Sequence, residues 1–299
     1  MRADRPFVDA PAGPPAPLHA AARAAASAWH LGEPELVRVG MNGIFAAGDA
    51  VLRVSKPTAP GSIAIHLAIA LTEHGVRVPR PLTAAVLEHD GLTVSAWERI
   101  RPSGDPIDWR AVGGHVARVH TIAPAALPPG YPVPSPASFP WWDFERLLGD
   151  VDDLLDDASR AALRRAVDEH VGWAGLLSRD AVVCHGDVHT GNVMQGADGP
   201  VLLDWALLCL AAPAWDHAPM MTWASRWGGH PHEYEAFADG AGWCGRGDAL
   251  AEALATLRLV AATLMRLRAG RSDPSARDEA ERRLRWWRGD PDAPPWQAQ

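Results

Sequence analysis

The spacing of apolar residues changes several times along this chain, and each change marks an element. Leu18–His30 is Ala-rich and reads as a helix. Leu36–Val39, Ile44–Ala47 and Val51–Val54 are short apolar runs separated by Gly40-Met41-Asn42-Gly43 and by Gly48-Asp49, which predicts three strands joined by a glycine loop and a tight turn. Ser62–His74 reads as a helix, and Thr83–Leu87 with Leu92–Ala96 as a hairpin around Asp90-Gly91. Trp109–Ile122 carries Val112, Val116 and Val119 at helical spacing, and a Pro-rich loop follows over 124–140. Trp141–Leu155 and Ala158–Leu177 read as helices. Short apolar runs return at Ala181–Val183 and Val201–Leu203, on either side of a polar loop. Helices then fill the rest: 217–227, 231–240, 248–269 with Leu250, Leu254, Leu257, Ala261, Leu264 and Leu267 on one face, and 275–288. Prolines at 6, 11, 14, 15 and 17 predict an extended or disordered leader over 1–17, and 289–299 reads as a loose tail. Strand patterns thus dominate the early part of the chain and helical patterns most of the rest.

Composition narrows the function classes. The chain has 299 residues, enough for one large domain or two lobes, and a formal net charge of −8. That balance gives no electrostatic case for nucleic acid. Lys56 is the sole Lys. Cys184, Cys209 and Cys244 are odd in number, widely spaced and set in apolar surroundings, so they read as reduced core residues of a cytoplasmic protein. Met1–Asp9 is charged and lacks an apolar segment, and the longest apolar runs, 63–71 and 201–215, are short or interrupted by Asp204; neither a signal peptide nor a membrane span is predicted. Asp143, Glu145, Asp150, Asp152, Asp153, Asp156 and Asp157 make one stretch strongly acidic, either as a solvated helix face or as a grip for a cationic ligand. Most of the 14 Trp read as core filling.

The candidate chemistry lies in Cys184-His185-Gly186-Asp187-Val188-His189-Thr190-Gly191-Asn192-Val193 and in Val201-Leu202-Leu203-Asp204-Trp205. A polar loop presents a carboxylate, Asp187, and then a carboxamide, Asn192; a second apolar run ends in another carboxylate, Asp204. That set suits one acid that handles a proton and two oxygen donors that hold a hard divalent cation such as Mg²⁺. Arg53 stands inside an apolar strand between Leu52 and Val54, where a cation could pair with phosphate oxygens.

His-Gly-Asp-x-His-x-x-Asn followed by Leu-Leu-Asp-Trp resembles the catalytic core of the aminoglycoside phosphotransferase family, relatives of the protein kinases. The resemblance spans about 36–220. It implies a bilobal, protein-kinase-like α+β fold, with a small antiparallel N-lobe over 18–98 and a mostly helical C-lobe over 99–288. It assigns Asp187 as base, His185 as loop support, and Asn192 and Asp204 as Mg²⁺ ligands. Gly40, Asn42, Gly43 and Arg53 then clamp the phosphates of ATP or GTP, while the stretch containing Trp97, Glu98 and Ile100 meets the purine through its backbone. His189 packs within the loop, and Asp216 braces it and caps the following helix. The implied partners are a nucleoside triphosphate and a small hydroxylated acceptor, with the acidic segment tilting toward a cationic one such as an antibiotic, amino sugar or aminoalcohol; neither nucleic acid nor membrane is implied, and the chain is a monomer or homodimer. One departure stands out. In kinases the helix here carries a Glu that pairs with the strand cation, whereas the helix over 62–74 has only Glu73, close to its C-terminal end by Gly75. That omission motivates an alternative, a nucleotide-binding pseudokinase without turnover. A third reading takes His185, Asp187 and His189 as ligands of a metallohydrolase.

Overall fold

The computed structural model describes residues 12–56 and 61–297. Its helices and strands are α1 (Pro15–Ala28), β1 (Glu35–Val39), β2 (Gly43–Ala47), β3 (Ala50–Ser55), α2 (Ile63–Glu73), β4 (Leu87–His89), β5 (Leu92–Glu98), α3 (Trp109–Thr121), α4 (Phe144–Asp150), α5 (Asp157–Asp168), α6 (Trp173–Leu176), β6 (Val182–Cys184), β7 (Val193–Gly196), β8 (Gly199–Leu202), β9 (Cys209–Ala211), α7 (Ala214–Met221), α8 (Trp223–Arg226), α9 (Pro231–Ala241), α10 (Ala249–Ala269) and α11 (Pro274–Trp287). They sort into two compact units that are not contiguous in sequence.

The first unit holds 1–108, 121–134 and 192–208. Its sheet is antiparallel in the order β1-β2-β3-β5-β4. The hydrophobic effect closes one face of that sheet. Leu18, Ala21, Ala22 and Ala25 of α1 pack on Phe45, Leu52, Val54, Val94 and Ala96, all essentially excluded from solvent. Leu52 and Val54 point into this core, so strand alternation sends Arg53 to the opposite face. The β4–β5 turn has both Asp90 (φ 48°) and Gly91 (φ 76°) at positive φ, the requirement of a two-residue type I′ hairpin. Residues 15–17 are helical and do not belong to an extended leader. α1 starts at Pro15, where proline's fixed φ and missing N–H suit the first turn, and 1–11 lies outside the described residues.

The second unit holds 109–120, 135–191 and 209–299. β6 and β9 form a short antiparallel ribbon, with Cys184 opposite Cys209. α10 packs against α7, α11, α5 and α4. α3 and α9 cross so closely that a Cβ on Gly113 would lie 2.0 Å from the carbonyl oxygen of Phe237. The stretch 158–177 is not one helix: α5 ends at Asp168 with Glu169 as its C-cap, and Gly172 at φ 91° is the N-cap of α6. Residues 289–297 are docked rather than loose. Trp296 is buried, its ring packs edge-on to Trp227 and Trp286, and its amide donates to the carbonyl of Arg226. Buried Arg283, paired with buried Glu279, donates to the carbonyl of Gln297, and the Gln297 amide donates to Glu279.

Cys184 and Cys209 are buried, and burial together with the nearby Asp216 charge pushes both thiols up. Cys244 is exposed, against the expectation that all three lie in the core. No helix among the described residues is long and apolar enough to cross a membrane.

Candidate active site

β6 delivers the chain to His185-Gly186-Asp187 at the edge of the second unit. Asp216, one turn into α7 and fully buried, fixes this loop. Its Oδ2 accepts from the His185 amide at 2.9 Å and its Oδ1 from the Gly186 amide at 2.7 Å. Gly186 has φ 94°, a conformation that a side chain would strain. His120 on α3 completes the brace, its Nε2 3.0 Å from Asp216 Oδ2. Burial pushes the Asp216 carboxyl up, but His120, His185 and the Gly186 amide outweigh it and hold the group below its ordinary value. Asp216 thus ties two successive amides of this loop to α7. The expected cap is absent: α7 has Pro213 at its N-cap and no side-chain cap bond, because the Asp216 carboxylate already serves the loop.

His185 is fully buried and its Nδ1 accepts from the Asp187 amide at 3.2 Å, so it turns the loop from inside. His189 Nδ1 accepts from the Gly191 amide at 3.0 Å, which assigns the ring proton to Nε2. That Nε2 lies 3.4 Å from Asp187 Oδ2. Asp187 Oδ1 accepts from the guanidinium of Arg258 on α10. Burial pushes the Asp187 carboxyl up, and Arg258, His189 and His185 more than reverse this, holding it far below the usual carboxylate range. Asp187 is therefore a fixed, ionised carboxylate with a donor at each oxygen.

The chain passes into the first unit at Asn192. β7 and β8 form a hairpin, Val193 opposite Leu202, and the Leu203 amide donates to the Asn192 carbonyl at 2.8 Å. This bond sets Asn192 and Asp204 at the same end of one ribbon. Asn192 is buried. Asp204 adopts φ 56° and ψ 69°, a left-handed conformation uncommon outside glycine and a frequent mark of functional sites. Its Oδ1 is buried with no hydrogen bond to any described residue, and the Arg53 guanidinium stands 3.8 Å away. Arg53 thus has an acidic neighbour, supplied by Asp204 rather than by α2.

The remaining predicted residues fall as follows. Gly40 and Asn42 form the turn between β1 and β2, the Gly40 amide donating to the Asn42 carbonyl. Gly43 begins β2, where a Cβ would meet Leu18 and Phe45 at 3.2 and 3.1 Å, so packing alone accounts for that glycine. Trp97 donates through Nε1 to Ser95 Oγ. Glu98 binds Arg80 through its side chain, and its amide donates to the Arg80 carbonyl; the Arg99 amide donates to the Asp49 carbonyl. These bonds remove the Glu98 amide from the groups able to read a purine edge. Ile100 lies beside Gly196. The His185, Asp187 and His189 metal set is not assembled. Among the described residues, the one group of three or more ligand atoms close together is His120, Cys184 and Asp216. Arg258 and His120 are the functional residues that sequence reasoning missed; only their presence as polar residues on otherwise apolar helix faces marked them.

The seven acids of the acidic segment share five arginines. Asp143 and Asp150 pair with Arg146, Glu145 with Arg164, Asp152 and Asp157 with Arg160, Asp153 with Arg271 and Asp156 with Arg288. Asp143 and Asp156 are also the N-caps of α4 and α5. These exposed pairs are what a solvated helix face carries, and the run keeps two more acids than arginine partners.

The model of the phosphotransferase enzyme family matches residues 44–252. A search of curated proteins finds no match. Among solved structures, the chain is similar to spectinomycin phosphotransferase APH(9)-Ia in complex with ADP and spectinomycin (TM-score 0.64, 17% identity, 86% of this chain and 89% of that one). It is also similar to the GDP complex of aminoglycoside 2'-phosphotransferase-IIIa (TM-score 0.68, 15% identity, 92% and 99%). A third likeness is to amicoumacin kinase hAmiN in complex with AMP-PNP, Ca²⁺ and Ami (TM-score 0.66, 13% identity, 92% and 95%). At these identities the likeness is one of fold, and the fold is kinase-like α+β. With the family model covering most of the chain, the protein belongs to the phosphotransferase enzyme family and is a phosphotransferase with an alcohol group as acceptor.

Proposed function

We propose that the chain transfers the γ-phosphoryl group of ATP or GTP to a hydroxyl of a small molecule. Asp187 receives the acceptor hydroxyl and takes its proton. Its low proton affinity fits a reaction in which the proton moves late and the protein contributes mainly position and charge. Asn192 and Asp204 would hold Mg²⁺, and Arg53 would pair with phosphate oxygens of the nucleotide. The residues fit such an ion. Oxygen donors suit a hard cation, and a buried carboxylate oxygen lacking a hydrogen bond is costly unless something positive completes it. Bound Mg²⁺ neutralises charge on the nucleotide phosphates. The Asp204 oxygen beside Arg53 is the observation that carries this reading. In the same reading the sheet of 18–98 serves the nucleotide and the helical segment 99–288 serves the acceptor.

The test is a mass-shift screen with Mg²⁺ and ATP or GTP against hydroxylated antibiotics, amino sugars, neutral sugars and hydroxy acids. At least one acceptor should gain the mass of one phosphoryl group, and Asp187→Asn should abolish that gain. Nucleotide binding with no product across the panel would instead favour a pseudokinase, and stoichiometric zinc in the purified protein a metallohydrolase.

A further inference from the structure

Asp187 is not a bare carboxylate. Arg258, midway along α10, donates to its Oδ1. Its helix neighbours Leu254, Leu257 and Ala261 are buried. A guanidinium on such a face is retained only when well paired, because desolvation otherwise dominates. The side chains of Asp187 and Arg258 are 23% and 21% exposed, so the pair borders solvent without being a surface ion pair. The groups facing Asp187 are Arg258 from α10 and His189 and His185 from its own loop. With Arg258 at one oxygen and His189 beside the other, Asp187 does not offer uncompensated negative charge to an ammonium group.

We propose that Arg258 is a positioning residue that holds Asp187 and sets the acceptor's charge class: a neutral alcohol, or one bearing a carboxylate, with no ammonium group beside the reacting hydroxyl. The proposal rests on Asp187 being the group that receives the acceptor hydroxyl. A hydroxyl within hydrogen-bond reach of Asp187 brings substituents on the adjacent carbon to within roughly 5 Å of the guanidinium, a distance at which like charges repel appreciably in a partly buried site. A carboxylate there would instead find a planar, two-pronged donor.

The experiment compares matched acceptors that differ only at the amine, free against N-acetylated, and alcohols with and without a neighbouring carboxylate. For the wild type, kcat/KM of the neutral or anionic member should exceed that of the ammonium member by roughly tenfold or more. Arg258→Gln should narrow the gap mainly through KM, and Arg258→Lys, which keeps the charge, should largely preserve it. Asp187→Asn should lower transfer to both members by about 10²-fold or more; if it does not, the base assignment itself fails, whatever the ratio. A wild-type preference for the ammonium member, or a ratio unmoved by Arg258→Gln, overturns the charge-class proposal even when Asp187→Asn is inactive. The pairing is also read without turnover, from a ¹³C carboxyl titration of Asp187 assigned by its loss in Asp187→Asn. Its midpoint should rise in Arg258→Gln and stay low in Arg258→Lys. An unmoved midpoint in Arg258→Gln would show that the guanidinium does not hold this carboxylate.

Discussion

Between Asp143 and Asp157, seven carboxylates stand toward solvent, each beside an arginine. Asp187, Asp204 and Asp216 take a different course. Asp216 is fully buried and bound by two backbone amides and a histidine; Asp187 has a donor at each oxygen; Asp204 keeps one buried oxygen without a hydrogen bond. The first run is richer in charge and the second richer in consequence. Exposed pairs contribute little because water screens them, whereas a buried carboxylate either has its donors or destabilises the fold. Charge density along a sequence therefore locates neither a site nor a ligand until the partners are known.

The comparison can be broken at several points. Asp187→Asn should lower the transfer rate by about 10²–10⁴-fold, measured by phosphate transfer, because it removes the proton acceptor while keeping the shape. Asp216→Ala should lower folding stability by roughly 3–5 kcal/mol in denaturant titration, since it strands His120 and the His185 and Gly186 amides in the interior. His217, next in sequence to Asp216 and buried among Tyr234, Phe237 and Trp243, offers a pH test. Burial pushes its ring down to about 4. The unfolded chain then binds the proton more readily, so the stability contributed by neutral His217 is complete above its ordinary pKa and fades as pH falls toward 4. The expected loss is about 3 kcal/mol, and it should be absent in a His217→Gln chain. At the small end, Glu145→Gln and Asp153→Asn should leave Tm and kcat/KM unchanged within error; a marked loss of acceptor affinity in either would return the acidic run to the binding site.

Local pattern made much of this molecule legible. The runs around Gly40–Gly43 and Gly48-Asp49 gave β1 to β3 in order, and Asp90-Gly91 marked its hairpin, because turn chemistry and period-2 alternation act over a few residues. The His185–Asn192 loop and Asp204 were legible as a fixed arrangement of residue types. Through-space partners were not. Arg258 is 71 residues from Asp187, and His120 is 96 from Asp216. Asp216 looked like a helix cap because caps are local, and tertiary structure gave its carboxylate to a loop instead. Residues 289–297 looked loose because the burial of Trp296 depends on Trp227, Trp286 and Arg283, which are helical neighbours in space only.

The central claim is that Asn192 and Asp204 serve a magnesium-bound nucleotide for a reaction based on Asp187. Calorimetric titration of a non-hydrolysable ATP or GTP analogue, in Mg²⁺ and then in chelator, tests it most directly. The account predicts binding in Mg²⁺ that weakens by roughly tenfold or more in chelator, with Asp204→Asn losing that dependence. Equal affinity with and without the metal, or an Asp204→Asn chain that responds to Mg²⁺ as the wild type does, would contradict it.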